Sequence, residues 1–486
     1  MRHINVKVVV LAAAGSAIVS MSAIYTALRM GALPWPTIFS ALVSFAILRK
    51  FGSSLNEVNV AHTGMSAGGL VAGGIAFTLP AVWMIGSDLN LKSVVYFGLV
   101  GVVLGVGLVL SMRERYIVRA NLPFPMGLAA AQTLKAGDEG GRKAKILFSW
   151  MGISALFTFL RDGLKVVPVI WKNFGLFPMA VGVGFIIGTL YTLSWFLGWV
   201  SSVIASKFVA LDLIKKFGVG MLAGGGLGMA LRGFRKDLSF GGKLDVAVLV
   251  IAFFMSFIFG LDPLSGAMFI ALSYVAVLVA GVVTGTTGID PMEVFSMLVL
   301  MVLRLFFDIS GKDAVLIALS VAVATGLSGD SLQDMKAGYI LKTDPRSQAL
   351  SELIGAVVGV LVSAVLVFTL KEAYGSFGPG TYFPAPQAFA VSQVVKGGMV
   401  SKIFVFGFIC GVVLQILKLP ALTFGIGMYL PTFITLPVAL GGAIRLLFDL
   451  KFKDKVEDGI VASSGIMGGE GIVGVLVGIF MAMGKG

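Results

Sequence analysis

The sequence predicts an all-α polytopic integral membrane protein with about 14 membrane segments, within a range of about 12 to 16, arranged in two pseudo-symmetric halves. Three observations support this fold class. Of the 486 residues, 57% are hydrophobic and 13% are charged, about half the roughly 25% charge of a soluble domain. Apolar runs recur along the whole chain. The 64 glycines are typical of membrane helices that pack closely or break.

The net charge of +13, from 37 basic and 24 acidic residues, has no polar domain on which to form a basic patch. We assign it to cytoplasmic loops and to the headgroups of the lipid bilayer, and we predict no nucleic-acid partner. Neither a Gly-x-x-x-x-Gly-Lys-Ser/Thr phosphate loop nor a His-Glu-x-x-His zinc motif occurs. This disfavours an ATP-driven pump and a membrane-embedded enzyme, and we predict no cofactor and no bound metal.

The first apolar run extends from Val8 to about Leu28. It is longer than the roughly 7–15 residues of a signal-peptide core, so a first transmembrane helix is favoured over a cleaved signal. The break at Pro34-Trp35-Pro36 leads to the short run Thr37–Leu48. That run predicts a tilted or half-crossing helix, because a full span needs about 20 residues.

The segment Asn59–Leu79 is long enough to cross a bilayer, yet it contains several polar side chains. Asn59, His62 and Ser66 share one face of a helix, and Thr63 lies beside them. Polar side chains cannot face lipid without partners, so this face should line a cavity or meet other helices. We place substrate-binding residues here. His62 is either a proton carrier or an interhelical hydrogen-bonding strut.

Glycines four residues apart give the small-xxx-small spacing that lets two membrane helices approach closely. The pairs with this spacing are Gly64/Gly68, Gly69/Gly73, Gly465/Gly469 and Gly474/Gly478. They leave open contacts within one chain or a homodimer. The glycine run from Gly218 to Gly228 favours close helix packing or a hinge over nucleotide binding.

The segment Asn121–Gly137 differs from an ordinary loop. Two prolines and a glycine interrupt a helix that then restarts. Interrupted helices at membrane depth occur where the freed backbone is buried in protein or lines a cavity. We predict a broken or re-entrant helix with Asn121, Phe124, Gln132 and Thr133 at a substrate site. A tight loop followed by an interfacial helix is the alternative.

A basic connector, residues 232–243, separates the membrane halves 1–231 and 244–486. In the second half, Asp290 precedes a proline at a predicted helix start, and Glu293 follows in the first turn. Acidic residues are favoured at helix N-termini, so capping explains them, with a proton or substrate role as the alternative.

Three further polar stretches interrupt the second half. The mixed charges of Gly329–Gln348 favour an amphipathic segment on the membrane surface. Phe424–Gly442 contains two prolines inside an apolar run and predicts a second broken helix, the partner of Asn121–Gly137. It contributes the candidate binding residues Tyr429, Thr432 and Thr435. The last apolar run contains Ser464 and Glu470, and a carboxylate there is costly unless it is paired or hydrated.

Five blocks in this order resemble the oligopeptide transporter family, including its yellow-stripe-like branch, in a prokaryotic-type member. The blocks are Asn59-Val-Ala-His-Thr-Gly-Met-Ser-Ala-Gly-Gly, Asn121-Leu-Pro-Phe-Pro-Met-Gly-Leu-Ala, Leu332-Gln-Asp-Met-Lys-Ala-Gly-Tyr-Ile-Leu-Lys-Thr-Asp-Pro-Arg-Ser-Gln, Gly425-Ile-Gly-Met-Tyr-Leu-Pro and Ser464-Gly-Ile-Met-Gly-Gly-Glu-Gly. The resemblance covers nearly the whole chain. It implies proton-coupled uptake of small peptides or peptide-like metal chelates across a prokaryotic cell membrane.

The sequence thus predicts a secondary active transporter that works by alternating access, with a channel as the alternative class. Its substrate should lie between the broken helices, where freed backbone groups bind peptide termini. Tyr429 and Phe124 would offer stacking surfaces. The predicted proton-coupling residues are Glu470, Glu293, Asp290 and His62.

Overall fold

The computed structural model describes residues 3–30, 33, 36–164, 177–234, 242–258, 260–379, 381–396 and 402–482. These residues are mainly helical, and their one β-contact is an isolated bridge between Phe377 and Phe383. Eight of the described helices are long and apolar enough to cross a membrane, and three shorter ones are also apolar. The expected multi-pass helical architecture is confirmed at this level. The count of about 14 segments stays a prediction.

Residues before the connector form eleven of the described helices. They are α1 (Val6–Met30), α2 (Pro36–Leu48), α3 (Leu55–Ala76), α4 (Ala81–Met84), α5 (Leu91–Gly107), α6 (Val109–Arg113), α7 (Pro125–Glu139), α8 (Gly141–Thr158), α9 (Pro178–Ile187), α10 (Thr189–Ala205) and α11 (Leu211–Phe234). Single π-helical segments extend α6 over Glu114–Arg119 and α8 over Phe159–Gly163. The predicted connector begins inside α11, and its residues 235–241 lie outside the described part of the chain.

The remaining described helices come after the connector. They are α12 (Lys243–Ile258), α13 (Pro263–Thr287), α14 (Met292–Arg304), α15 (Gly311–Leu341), α16 (Pro345–Tyr374), α17 (Pro386–Val395), α18 (Lys402–Ile416), α19 (Ala421–Tyr429), α20 (Thr432–Lys451) and α21 (Val456–Ala482). Short 3₁₀ turns follow α2 at Arg49–Phe51 and precede α21 at Lys453–Lys455.

Local sequence fixes where the central helices begin. Ser54 and Glu57 form a reciprocal capping box at the start of α3. Asp262 accepts two backbone N–H groups at the start of α13, and Asp344 does the same for α16. In both helices a proline occupies the first turn, where a missing N–H costs nothing. The helices around the protein interior therefore have defined N-termini.

The centre of the molecule is the packed pair α3 and α15, whose apolar spans are completely buried. Helices α1, α5 and α16 surround this pair. The Ser16 hydroxyl donates to the Gly355 carbonyl at 2.6 Å, and the Ser320 hydroxyl donates to the Phe97 carbonyl at 2.5 Å. Each bond joins one sequence half to the other, so the two halves interleave rather than form separate domains.

The glycine seam of α3 is used inside the chain. A methyl group added to Gly64 would collide with Ser351 on α16, and one added to Gly68 would collide with Ser16 on α1. The seam therefore gives no support for a homodimer. The glycines near Gly218–Gly228 likewise face α18 and α19, as expected for close packing.

The closest approach in this seam predicts a measurable loss of stability. A Cβ atom at Gly355 would overlap the backbone carbonyl of Gly64, which cannot move without shifting α3. We expect Gly355→Ala to destabilise the protein by about 1–3 kcal/mol, the usual cost of overpacking. Thermal unfolding in detergent measures it. The control is Gly152→Ala, where the added methyl meets no atom within 4 Å, and equal melting temperatures for both variants would contradict the prediction.

Candidate functional site

A small cavity lies where two helix breaks meet. One break, Gly288–Pro291, separates α13 from α14, and the other, Leu430–Pro431, separates α19 from α20. Gly288 ends α13 with φ of 74°, a left-handed conformation that glycine adopts freely. The cavity volume is about 60 Å³. At roughly 10–15 Å³ for one water molecule, it holds a few waters but no peptide in this conformation.

Two carboxylates, Asp290 and Glu293, line this cavity. Both oxygens of Asp290 are buried and have no hydrogen-bond partner in the described part of the chain, and Glu293 is 7% exposed. The residue at the N-cap of α14 is Pro291, and no side chain caps this helix. Asp290 is therefore not a cap, and its carboxylate is available to a cationic group.

The ends of three helices add partial charges near this cavity. The N-termini of α14 and α20 lie at the breaks and carry positive ends of helix dipoles, while α19 presents its negative C-terminus. Tyr429, at the end of α19, is half-buried, lines the cavity and lies within electrostatic range of Glu293. The cavity thus offers sites for both ends of a zwitterion.

Two of the predicted binding residues, Thr432 and Thr435, are hydrogen-bonded to another helix and do not line the cavity. The Trp199 indole N–H donates to the Thr432 hydroxyl at 3.0 Å, and that of Trp195 donates to Thr435 at 3.1 Å. Both contacts tie α20 to α10. Ser464 donates to the Ile460 carbonyl within its own helix at 2.8 Å.

A further helix break lies at Gly188. There, α9 and α10 are separated by one glycine with φ of 87°, and they pack against α20 and α19. The local sequences correspond: Gly182-Val-Gly-Phe-Ile-Ile-Gly-Thr precedes and includes one break, and Gly425-Ile-Gly-Met-Tyr-Leu-Pro-Thr the other. The prolines of Phe424–Gly442 and Asn121–Gly137 predicted those two segments as partners, whereas the break at Gly188 has no proline.

The segment Asn121–Gly137 begins with a non-helical stretch, residues 121–124, and continues as α7, and its polar groups meet protein. The broken or re-entrant helix stays a prediction. Phe124 has φ of 43°, donates its N–H to the Gly285 carbonyl at 2.9 Å and is fully buried. The exposed Asn121 accepts a hydrogen bond from Lys336 at 3.0 Å. Thr133 donates to the Ala129 carbonyl of its own helix at 2.8 Å. Gln132 is half-buried.

The polar face of α3 meets two other helices. Ser66 donates to Asp334 on α15 at 2.6 Å, and His62 Nε2 lies 3.1 Å from the same carboxylate. Gln348 on α16 donates to Thr63 at 3.1 Å, and Asn59 donates to Thr343 at 3.2 Å. All four α3 residues are fully buried. The prediction that this face lies inside the protein is therefore accurate, although its partners are side chains far away in sequence.

Glu470 lies in a buried ion pair. The Arg161 guanidinium donates to its carboxylate at 2.7 Å, and the backbone N–H of Met179 donates to the other oxygen at 2.6 Å. The guanidinium carbon also lies 4.2 Å from the centre of the Phe177 ring. The carboxylate predicted to be costly is thus paired, and it joins α8 and its extension to the start of α9 and to α21.

The interpretation of Gly329–Gln348 as a surface segment is wrong for its first half. Residues 329–338 are buried within α15 and bring Asp330 and Asp334 into the interior. Glu352, on the next helix, is also fully buried. The spacing of four between the two aspartates was the signal available in sequence, because it places them on one helical face.

Comparison with known proteins finds one matching family model and several similar transporters. Residues 3–208 and 239–481 match the family model of the OPT oligopeptide transporter proteins. A putative oligopeptide transporter of Haemophilus influenzae is 25% identical over 94% of this chain and 92% of its own length. One of Saccharomyces cerevisiae is 27% identical over 32% of this chain and 25% of its own. A probable metal-nicotianamine transporter of Arabidopsis thaliana is 33% identical over 15% of this chain and 10% of its own.

Proposed function

This chain belongs to the oligopeptide transporter family, and we propose that it is a proton-coupled secondary active transporter that imports small oligopeptides or peptide-like metal chelates by alternating access. The family supports transport of a peptide or a peptide-like substrate and a multi-pass membrane protein that is not an enzyme. The substrate size, the coupling ion, the direction and a prokaryotic cell-membrane location belong to the proposal.

The observation that carries the proposal is the cavity between the breaks at Gly288–Pro291 and Leu430–Pro431. A peptide has a cationic amino terminus and an anionic carboxylate. Asp290 and Glu293, which line the cavity, suit the amino terminus. The start of α20, two residues beyond the lining residue Leu430, would offer N–H groups to the carboxylate. Tyr429 adds a surface for stacking. A metal chelate with amino and carboxylate groups fits the same arrangement.

Alternating access is supported by the repeated order of the helices. Two consecutive helices of each half match in length: α1 and α13 have 25 residues each, and α2 and α14 have 13 each. The central helices α3 and α15 carry Thr63-Gly-Met-Ser66 and Thr325-Gly-Leu-Ser328. Two such halves can exchange conformations around a site between them.

A second correspondence supports the same duplication. The motifs Leu122-Pro-Phe-Pro125 and Phe383-Pro-Ala-Pro386 precede α7 and α17. In each motif the residue before the second proline has positive φ, 43° in Phe124 and 41° in Ala385. The N–H of Phe124 donates to Gly285, near the end of α13, and the N–H of Ala385 donates to Leu28, near the end of α1. The equivalent contacts support a repeat in which α13 corresponds to α1, so the second repeat would begin after α12 and not at the predicted connector, residues 232–243.

Proton coupling through Glu470, Glu293, Asp290 and His62 remains part of the proposal. Asp290 and Glu293 lie beside the proposed substrate cavity, so proton and substrate would compete or cooperate there. His62 and Glu470 lie outside it and already have buried partners.

Counterflow in proteoliposomes tests the proposed function. We expect vesicles preloaded with unlabelled trialanine or a metal–nicotianamine chelate to take up the labelled compound transiently against its gradient, because a carrier exchanges one bound molecule for another. Protein-free vesicles are the control. An ohmic current without counterflow would identify a channel and overturn the proposal. Failure of both compounds to show saturable uptake would also overturn it.

A further inference from the structure

Three carboxylates converge at the contact of α3, α15 and α16. Asp330 is 4% exposed, and Asp334 and Glu352 are fully buried. Thr37 donates to Asp330 at 3.1 Å, and Ser66 donates to Asp334 at 2.6 Å. Neither oxygen of Glu352 has a hydrogen-bond partner among the residues described. The charges of Asp334 and Asp330 act on Glu352.

The positive charge at this cluster is insufficient for three carboxylates. Among the described residues, His62 is the titratable base in contact, with Nε2 3.1 Å from Asp334. Lys336 lies two residues further along α15, but its amine donates to Asn121 and to the Leu122 carbonyl. Three like charges without water or a matching cation are strongly disfavoured. The cluster must therefore hold protons or another cation.

The cations on the other described helices packed around the cluster interact elsewhere: Arg304 on α14 donates to the carbonyls of Val395 and Ile309, and the Lys135 charge on α7 acts on Glu457. Lys7 on α1 and Lys92 on α5 are exposed, and Arg113 on α6 lies over the Tyr339 ring. The described residues of α2 and α13 include no charged side chain. No group of His, Cys, Asp and Glu among the described residues has the geometry of a metal site, so a proton fits better than a divalent ion.

The cluster is continuous with the proposed substrate cavity. The Asp290 carboxylate packs against Gly329, so that a methyl group on that glycine would overlap it. Asp290 is also within electrostatic range of both Glu293 and Asp330. A row of buried acids therefore runs from the cavity through Asp290 to Asp330, Asp334 and Glu352.

We propose that Asp330, Asp334 and Glu352, together with His62, form a proton-binding site that communicates with the cavity through Asp290. This inference rests on the proposed transport function and assigns its coupling site. Glu352 accepts the proton because its carboxylate is fully buried and faces the charges of two other acids, which disfavour its ionised form. Its protonation removes one negative charge from the row, which lowers the electrostatic cost of keeping Asp290 and Glu293 ionised to hold a cationic substrate terminus.

The first test needs no substrate. Infrared difference spectra of the detergent-purified protein between alkaline and acidic pH should contain the band of a buried protonated carboxyl group. We expect Glu352→Gln to lose a component of this band, and Glu372→Gln, the same change at an exposed position of α16, to keep it. Identical spectra for wild type and Glu352→Gln would overturn the proposal. If Glu352→Gln is not monodisperse, Asp330→Asn takes its place with the same expectation.

The second test separates coupling from binding. With trialanine as the probe, we expect Glu352→Gln to lose accumulation driven by a pH gradient but to retain exchange of labelled for unlabelled peptide. Retention of normal gradient-driven accumulation would overturn the site. Absence of exchange in the wild-type protein would instead refute the proposed function, while the infrared result would still stand.

A third arm distinguishes protons from sodium ions. At fixed pH, replacement of choline chloride by sodium chloride should leave the melting temperature of the wild type unchanged. A rise with sodium that Glu352→Gln abolishes would identify a sodium site and overturn the proton assignment.

Discussion

Replacement of Glu293 by glutamine is expected to weaken trialanine binding about a hundredfold, which corresponds to about 2.7 kcal/mol. Loss of one partner of a buried charge pair usually costs about 2–5 kcal/mol. Glu293 is 7% exposed and lines the cavity beside Asp290. Its carboxylate would contact the amino terminus of the peptide, and glutamine keeps the shape but removes the charge. The dissociation constants come from calorimetric titration of purified protein.

The chemistry of the ligand gives a matched control for this prediction. N-acetyl trialanine has no cationic terminus, so it should bind weakly to the wild type and equally weakly to Glu293→Gln. Glu372→Gln should leave the affinity for both peptides unchanged, because Glu372 is exposed at the end of α16. If Glu293→Gln weakened both peptides by the same factor, Glu293 would act through the structure of the cavity and not through the amino terminus.

Local sequence was sufficient for the start of α3 and for the burial of its polar face. Both features depend on neighbours in sequence. They are the capping box at Ser54 and Glu57 and the helical spacing of Asn59, His62 and Ser66. The partner of that face, Asp334, is 268 residues away from Ser66. No local pattern specifies such a contact, because it depends on how the two halves interleave.

The charged stretch Gly329–Gln348 shows that the hydropathy pattern of a segment does not decide whether its helix is on the surface or buried. An amphipathic surface helix and a buried helix that carries ionisable groups can have the same pattern of charges. Only the surroundings distinguish them, here α3 and α16 packed over Asp330 and Asp334. The helix breaks show the same limit. The proline at Pro431 predicts an interruption, whereas Gly188 could equally have lain inside a packed helix.

Replacement of Glu470 by glutamine is expected to destabilise the protein by about 3–5 kcal/mol, the usual cost of leaving one member of a buried ion pair without its partner. The side chains of Arg161 and Glu470 are 7% and 10% exposed, so water compensates little of the lost charge. Glutamine can still accept from Met179 N–H, so the loss measures mainly the stranded guanidinium. The midpoint of thermal unfolding in detergent is the readout.

The matching change at an exposed pair isolates the effect of burial. Glu457 pairs with Lys143 at 2.5 Å, with its side chain 63% exposed, and Glu457→Gln should change stability far less. The double variant Arg161→Met with Glu470→Gln should recover most of the loss, because no buried charge then lacks a partner. If Glu470→Gln is as stable as the wild type, the carboxyl group is already neutral in the folded protein. In that case Glu470 holds a proton, and its role in coupling gains support over its role as a strut between α8, α9 and α21.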